Sequence, residues 1–386
     1  MNPPSLPRLD SLRGYGHAVA GHAGTLCDED GKLFIKPCTQ REIDFYQTVQ
    51  REASDPQASK DRFRDLSEIM PVFMGTLMLT DPADQRIGEA VTGVISDAGD
   101  IKTDVAEITA AVTDQIAKVV APDETPKHEG EWVPTNGGKI KTDTAIVLDN
   151  SSYGFKKPNI LDLKLGVRLH AEDAPAKKKL KMEKISAETT HSTHGFRIAG
   201  MKAYRGSDDA SRLDEEGFMI YDKDHGRTNV THENLTSEIA KFVFNKAAGI
   251  DKELGTAVCK ALAHEIANVE SVLSQHEFTM YSASLLIVLE GDGEALREAI
   301  RKNNETVDML EKDADRAAKR VDSGIAMDAD GEFIEEAEAK MFSVKLIDFA
   351  HAEWTPGQGP DHNLLKGVNS IKDIFEELGD DGSTAK

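Results

Sequence analysis

The hydrophobic and polar positions of this chain follow two periods, and these periods predict separate strands and helices. Apolar runs bounded by turn residues are typical of strands. They predict strands at residues 14–20, 25–27, 32–36, 70–79, 144–148, 160–165, 195–204, 217–221, 278–289 and 341–347. Apolar residues three or four positions apart are typical of helices. Helices are predicted at residues 40–51, 100–120, 174–187 and 363–378, with two more within residues 232–275.

Two polar stretches interrupt this pattern. Residues 122–138 are predicted to form a polar linker. Residues 291–340 contain 15 acidic and 8 basic residues, a net charge of −7, and few large apolar side chains. This composition predicts a solvated or disordered insertion.

The length and charge of the chain limit its function. At 386 residues it can bury a large core and form two lobes or two small domains. Its formal net charge of −22 argues against direct nucleic-acid binding and against coating of an anionic membrane. Any site for phosphate groups must therefore be a local basic island.

The cysteines and the apolar runs indicate the compartment. Cys27, Cys38 and Cys259 lack the spacing of a zinc site or a disulfide framework, which suits a reducing environment. Residues 1–10 show no secretory signal, and no run approaches the roughly 20 apolar residues of a membrane span. We therefore expect an intracellular protein of the nucleus, the cytoplasm or both, without a membrane span.

Two familiar phosphate-binding patterns are absent. The nearest match to a Walker loop runs from Gly24 to Lys32, but six residues separate its glycines and a leucine follows the lysine. A Walker loop needs four intervening residues and then Ser or Thr after the lysine. The His-Arg-Asp catalytic loop of protein kinases is also missing. These observations exclude a P-loop enzyme and an ordinary protein kinase.

The parts that phosphoryl transfer requires nevertheless occur in order along the chain. Such enzymes need amides over the phosphates, a lysine, and carboxylates for magnesium. A glycine turn at residues 21–24 can present amides, Lys36 ends the next strand, and Glu42 on the following helix could pair with that lysine. Asp348 leaves an apolar strand towards a glycine- and proline-rich loop, which suits a magnesium ligand. Each pattern alone also fits a structural interpretation, as a surface pair or a turn cap.

Asp162 and Lys164 form a polar pair within an apolar segment. Side chains two positions apart in a strand share a face. A structural ion pair is the common explanation of such a pattern. However, residues 156–184 contain nine Lys or Arg and four Asp or Glu, a net charge of +5. Five of these lysines lie on one predicted helix, at Lys177, Lys178, Lys179, Lys181 and Lys184. Such an island suits a small ring that carries several phosphates.

Several segments together resemble the inositol polyphosphate kinase family, and within it the multikinase branch. The signature Pro-x-x-x-Asp-x-Lys-x-Gly is complete in Pro158, Asp162, Lys164 and Gly166. Further similar segments occur in the family's order at residues 20–22, 195–201, 223–227, 281–286, 347–351 and 359–361. Ordered matches over nearly the whole chain are more specific than any single motif.

The resemblance implies an α+β fold with two lobes, related to protein kinases and ATP-grasp proteins. The N-lobe would span residues 1–149, the C-lobe would span residues 150–386, and ATP would bind between them. The acidic stretch 291–340 would be an insertion in the C-lobe. The resemblance supplies no role for it or for residues 81–138.

On the ATP side, the resemblance implies a lysine, a hinge and a metal site. Lys36 would contact the ATP phosphates. Val147 and Asp149 would belong to the hinge that holds adenine and ribose. Asp348 would bind Mg²⁺, the implied cofactor, with Ser284 as a supporting polar group.

On the acceptor side, the resemblance implies a catalytic pair and three further substrate contacts. Asp162 would orient or deprotonate the inositol hydroxyl. Lys164 would bridge the acceptor and the transferring phosphate. Lys178 and Lys181 would bind substrate phosphates, and His351 would approach the inositol ring.

These roles describe an ATP-dependent kinase that phosphorylates inositol tris- and tetrakisphosphates towards inositol pentakisphosphate. The short stretch from Gly166 to Gly195 favours the multikinase branch over the trisphosphate 3-kinases, whose substrate-binding insertion is longer. Two alternatives stay open. One is an inositol hexakisphosphate kinase that makes pyrophosphates. The other is a bifunctional protein whose acidic stretch binds a basic protein partner such as a transcription factor.

Overall fold

The computed structural model describes residues 11–16, 19, 24–54, 60–79, 142, 144–312 and 340–380. The strands of these residues are β1 (Arg13–Gly14), β2 (Leu26–Cys27), β3 (Leu33–Pro37), β4 (Phe73–Met78), β5 (Thr144–Asp149), β6 (Pro158–Leu165), β7 (Phe196–Tyr204), β8 (Phe218–Tyr221), β9 (Phe278–Met280), β10 (Ser284–Glu290), β11 (Phe342–Ile347) and β12 (Ala352–Trp354). The helices are α1 (Gln40–Ser54), α2 (Lys60–Glu68), α3 (Ala176–Ala187), α4 (His191–His194), α5 (His225–Thr228), α6 (Leu235–Val243), α7 (Lys252–Leu273), α8 (Gly293–Lys312) and α9 (His362–Asp380).

The N-terminal sheet has the strand order β1-β2-β3-β5-β4, and all neighbours are antiparallel. Side chains alternate between its two faces. Ile35 and Val147 pack in an outer apolar cluster. Ile146 and Leu148 point the other way, into the main core with the apolar side of α1. This inner face is the one on which Lys36 lies, because Lys36 pairs with Ile146.

The C-terminal sheet has the order β11-β10-β6-β7-β8, also antiparallel, with β6 at its centre. Leu161 and Leu163 are completely buried in the main core, which includes side chains of α7 and α9. Asp162 and Lys164 therefore project from the opposite face. The predicted lobe boundary between residues 149 and 150 falls in the connection between the two sheets.

Most of the predicted elements in the described residues are confirmed. The helix predicted at residues 40–51 is α1, and Ile43, Tyr46 and Val49 are buried along one side of it. The strand predicted at residues 32–36 is β3, and the one at residues 144–148 is β5. Each of these elements has a clear hydrophobic period and turn residues at its ends, so its own sequence was sufficient to predict it.

The single strand predicted at residues 278–289 is wrong. The segment forms β9, which pairs with β12, and β10, which pairs with β6 and β11. Ser282, between the two strands, has a φ of 62°. A left-handed turn residue is usually glycine or asparagine, so a serine in an apolar run did not indicate a break.

The prediction of disorder for residues 291–340 is wrong at its beginning. Residues 293–312 form α8, in which Leu296 and Ala299 are at most 1% exposed. These apolar residues lie three positions apart and anchor the first turns of the helix to the core, although the average composition is strongly polar. The rest of the predicted insertion, from residue 313 to 339, lies outside the described residues.

Three further predictions also lie outside the described residues. They are the helix at residues 100–120, the linker at residues 122–138, and most of the glycine turn at residues 21–24. Within the part of the chain that the structure describes, no helix is long and apolar enough to cross a membrane.

Candidate active site

Four elements bring two lysines and two carboxylates together. Lys36 at the end of β3 donates to Glu42 of α1 over 2.7 Å and to Asp348, just after β11, over 2.7 Å. The second oxygen of Asp348 lies 3.6 Å from the ammonium of Lys164 on β6. The pairing of Lys36 with Glu42 is therefore confirmed.

Burial and charge act in opposite directions on this cluster. Burial lowers the pKa of Lys36, but the carboxylates of Asp348 and Glu42 outweigh it and raise the pKa above its usual range. Glu42 is only 1% exposed, whereas the side chain of Asp348 is 28% exposed. A permanently charged lysine beside a solvent-accessible carboxylate can receive a phosphate and a metal ion together.

Helix α1 also holds the backbone at Asp348. Asp348 has a left-handed conformation, with φ of 71°. The next amide, that of Phe349, donates to the carboxylate of Glu42 over 3.3 Å. The Phe349 ring stacks on Phe45 of α1, with 4.8 Å between ring centroids. One helix thus positions both Lys36 and Asp348, and its second role was not visible in the sequence.

Asp162 is a buried carboxyl group at the edge of this cluster. Burial raises its pKa, and the negative charge of Asp348 raises it further. Lys164, the nearby Ser284 hydroxyl and Arg197 lower it. Neither Asp162 Oδ1 nor Ser284 Oγ completes a hydrogen bond of good geometry, although both atoms are buried. The site therefore contains two buried oxygen atoms that can receive groups of a ligand.

The structural ion pair considered for Asp162 and Lys164 is not formed. The ammonium of Lys164 donates to the carbonyl of Ser282 over 2.7 Å and pairs with Asp348 instead. Both side chains still lie on one face of β6, as the alternation predicts. Lys164 consequently belongs to the Asp348 cluster, while Asp162 keeps an unpaired oxygen.

Lys178 of α3 meets His351 beside this cluster. The Lys178 ammonium lies 3.3 Å from His351 Nε2. Burial, followed by the charges of Lys178, Arg41 and Lys164, lowers the pKa of His351 to about 4. His351 is therefore neutral at physiological pH, so its Nε2 can accept from Lys178 or from a substrate hydroxyl.

The second predicted substrate lysine, Lys181, lies one turn further along α3 and is partly buried. Residues three apart on a helix are neighbours on its surface. Lys178 and Lys181 therefore form a basic edge of the site. The structure adds Arg41 of α1, whose charge acts on His351 and which sequence reasoning missed. The sequence feature that could have indicated Arg41 is its position next to Glu42.

The two predicted hinge residues do not join the cluster. The Val147 side chain is fully buried on the outer face of the N-terminal sheet, away from Lys36. One carboxylate oxygen of Asp149 accepts the Val72 amide, and burial raises the pKa of this carboxyl. The Val147 side chain therefore cannot contact a nucleotide on the inner face of the sheet. A hinge contact at Val147 would have to come from its backbone.

The connection after β5 has a polar network that the sequence did not indicate. The Tyr15 hydroxyl lies 3.0 Å from Ser152 Oγ and 3.3 Å from Asn150 Oδ1. Its ring meets Phe34 of β3 edge-on, with 4.8 Å between centroids. Burial raises the pKa of Tyr15 to about 12. Tyr15 thus ties the N-terminal segment to the predicted hinge.

Two comparisons with known proteins decide the family. A family model for inositol polyphosphate kinase matches residues 145–376. The inositol polyphosphate multikinase of Saccharomyces cerevisiae is 30% identical over 387 residues, covering 95% of this chain and 99% of that protein. The chain belongs to the inositol polyphosphate kinase family. It is therefore a kinase, as the ordered motifs predicted.

Other members of the family are similar over a shorter stretch. Inositol hexakisphosphate kinase 2 of Oryctolagus cuniculus is 28% identical over 245 residues, 61% of this chain and 52% of that protein. Inositol hexakisphosphate kinase 1 of Homo sapiens is 26% identical over 249 residues, 61% of this chain and 53% of that protein.

A solved structure confirms the fold class. The crystal structure of inositol phosphate multikinase from S. cerevisiae, in complex with ADP and Mn²⁺, has a TM-score of 0.53 to this chain. The match has 24% sequence identity and covers 90% of this chain and 99% of that one. The α+β fold predicted from the resemblance is thus confirmed.

Gly200 of β7 lies against Val19 of the N-terminal segment. Gly200 pairs with Asp162 across the strands. A Cβ atom at Gly200 would lie 2.2 Å from the backbone oxygen of Val19. Residue 19 shortly precedes the glycine turn predicted to present amides to the phosphates. Any side chain at Gly200 must therefore displace Val19.

We expect Gly200→Ala to lower kcat/KM for ATP by about 10- to 100-fold, because a displacement of about 1 Å can cost that much. Steady-state kinetics and an unfolding curve monitored by circular dichroism would measure the effect. Gly14→Ala is the control, since a Cβ atom there meets nothing within 4 Å. Normal kcat/KM in folded Gly200→Ala would contradict the predicted role of this contact.

Proposed function

We propose that this kinase transfers the γ-phosphoryl group of ATP to hydroxyl groups of inositol tris- and tetrakisphosphates, towards inositol pentakisphosphate. The observation that carries the proposal is the position of Asp348. Its two carboxylate oxygens contact Lys36 from the N-terminal sheet and Lys164 from the C-terminal sheet. A lysine proposed for ATP and a lysine proposed for the acceptor thus meet at one carboxylate.

The residues around Asp348 fit a magnesium ion bound together with ATP. Magnesium in such sites uses one or two carboxylates plus phosphates and water, so a complete set of protein ligands is unnecessary. Asp348 offers a partly exposed carboxylate, and Ser284 Oγ is a buried oxygen without a hydrogen-bond partner. When bound, the ion neutralises charge on the transferring phosphoryl group.

Lys36 and Asp162 act on opposite ends of the transfer. Lys36 exchanges its contact with Asp348 for the phosphates of ATP and remains held by Glu42. Asp162 orients the acceptor hydroxyl and takes its proton as the oxygen forms a bond to the γ-phosphorus and the bond to ADP breaks. Burial raises the pKa of Asp162, which increases its ability to accept that proton. Lys164 neutralises the phosphoryl oxygens between the two.

A basic edge recognises the other phosphates of the acceptor. Lys178, Lys181 and Arg41 bring three positive charges to a chain whose formal net charge is −22. The neutral His351 lies among them and offers a hydrogen bond to the ring. Local cations of this kind attract a polyanion although the whole protein is acidic. The acceptor therefore binds at α3, beside Asp162 and Lys164.

The experiment that tests the proposal is a comparison of acceptors. The protein is incubated with ATP and Mg²⁺ and, separately, with inositol tris-, tetrakis-, pentakis- or hexakisphosphate. The products are separated by anion-exchange chromatography. We expect consumption of the tris- and tetrakisphosphates and accumulation of pentakisphosphate. Conversion of hexakisphosphate alone into a more highly charged product would contradict the proposal and support a pyrophosphate-forming kinase.

A further inference from the structure

Arg197 is a buried cation that the proposed reaction does not yet use. It lies in the segment 195–201, one of the segments that carry the family resemblance. The residue is 4% exposed, and its Nε atom is buried without a hydrogen-bond partner. Arginine is almost never buried to this degree without a charged partner. Its surroundings therefore indicate a specific function.

A bulge in β7 places Arg197 on the same face as Asp162. Asp162 pairs with Gly200, whereas the next residue, Leu163, pairs with Ile198, so Ala199 is the extra residue. Positions three apart on a regular strand lie on opposite faces. Because of the extra residue, Arg197 and Gly200 share the face that carries Asp162. Bulges re-aim side chains in this way beside active sites.

Helix α5 packs closely against the backbone beside Arg197. Arg197 Nη1 donates to the carbonyl of Ile198 over 2.8 Å. A Cβ atom at Gly226 of α5 would lie 1.9 Å from that same carbonyl oxygen. Only glycine allows the helix to approach so closely. Asp224 favours the charge of Arg197 and Arg227 opposes it. The segment 223–227, whose role was open, thus supports Arg197.

The two buried charges favour each other. Burial lowers the pKa of Arg197 to about 10, so the guanidinium stays positive at neutral pH, and Asp162 raises this pKa. Asp162 is only 7% exposed, and a buried carboxylate is unfavourable without a nearby cation. Lys164 also faces it, but its ammonium is engaged by Ser282 and Asp348. Arg197, whose guanidinium donates to a carbonyl of its own strand, supplies a second positive charge on this face.

We propose that Arg197 is a positioning residue, whose fixed positive charge, placed on the Asp162 face of the sheet by the β7 bulge, stabilises the Asp162 carboxylate for the acceptor hydroxyl. The inference rests on the proposed function of Asp162. It differs from a role in substrate binding, because the Arg197 side chain is buried and donates to the backbone of its own strand. Its loss should therefore affect the chemical step more than the binding of ATP or inositol phosphate.

The test compares Arg197→Gln with Arg197→Lys. We expect Arg197→Gln to lower kcat by about 100-fold while both KM values change by less than about threefold. Arg197→Lys keeps the charge and should recover at least about tenfold of that loss. A merely structural role would lower the unfolding temperature and the activity of both variants alike. That result, or a kcat of Arg197→Gln near the wild-type value, would overturn the inference.

Two further variants keep the outcome clear. If Arg197→Gln does not fold, Gly226→Ala replaces it, because the added Cβ atom displaces α5 from the Ile198 carbonyl without changing charge. A fall in kcat with unchanged KM values supports the inference, and an unchanged kcat overturns it.

Asp162→Asn is measured in parallel. If that variant keeps full activity, the proposed function of Asp162 fails; if it is inactive while Arg197→Gln is fully active, only the inference about Arg197 fails.

Discussion

Replacement of Asp162 by asparagine is expected to lower kcat by about 10²- to 10⁴-fold, the usual contribution of a general base. Asparagine has nearly the same shape but cannot accept the proton of the acceptor hydroxyl. Lys36, Glu42 and Asp348 keep their contacts with one another, which do not involve Asp162. The KM for ATP should therefore change little.

The same substitution should not weaken the fold. The pKa of Asp162 is raised in the folded protein, so its contribution to stability is fully present below the pKa of the unfolded chain and is lost as the pH rises through the folded value. At neutral pH the ionised carboxylate is therefore unfavourable, and a neutral asparagine removes that cost. We expect an unfolding temperature at pH 7 equal to or above that of the wild type.

Phosphoryl transfer assays and thermal unfolding followed by circular dichroism would check both expectations. Asp208→Asn is a matched control, because Asp208 is an exposed carboxylate on the surface. It should leave kcat and the unfolding temperature unchanged. Full activity of Asp162→Asn would show that another group accepts the proton.

Replacement of Asp348 by asparagine is expected to have an effect of similar size through the metal ion. Asp348 contacts Lys36 and Lys164, and its loss removes the carboxylate that lies between these two cations. We expect kcat to fall by about 10³-fold or more and the half-saturating Mg²⁺ concentration to rise by at least about tenfold, because a neutral amide is a weaker magnesium ligand. Asparagine is chosen because it tolerates the left-handed φ of 71°.

A titration of activity with Mg²⁺ would measure this effect. Asp251→Asn is the control, since Asp251 caps α7 through the amide of Leu254 and asparagine caps equally well. Its magnesium requirement should equal that of the wild type. An unchanged magnesium requirement in Asp348→Asn would falsify the assignment of Asp348 as the metal ligand.

The elements that carry the chemistry follow from local patterns. Lys36 and Glu42 are six positions apart, one at the end of a strand and the other near the start of the next helix. A strand and the helix that follows it usually pack together, so their contact could be anticipated. The alternation of apolar and polar residues around Asp162 and Lys164 likewise predicts that both side chains lie on one face of the strand.

Contacts between distant segments could not be anticipated in the same way. Lys36 and Asp348 are 312 positions apart, so their pairing depends on the order of strands in two sheets. The hinge prediction for Val147 rested on its position in the sequence, which does not show that its side chain points to the outer face of the N-terminal sheet. The break at Ser282 was hidden because serine rarely adopts a left-handed conformation. Helix α8 was hidden because the average composition of its stretch is strongly polar.

Periodicity and an ordered set of short motifs were thus sufficient to recognise a kinase of this family and to locate Asp162, Lys164 and Asp348 on or just after strands. These properties are local, since each depends on residues within a few positions of one another. The tertiary structure decided three further features. They are the meeting of Asp348 with two lysines, the bulge that places Arg197 on the same face as Asp162, and the close contact with Val19 that only a glycine at position 200 allows. Each requires backbone segments far apart in the chain to approach within a few ångströms, and no pattern in a single segment encodes that approach.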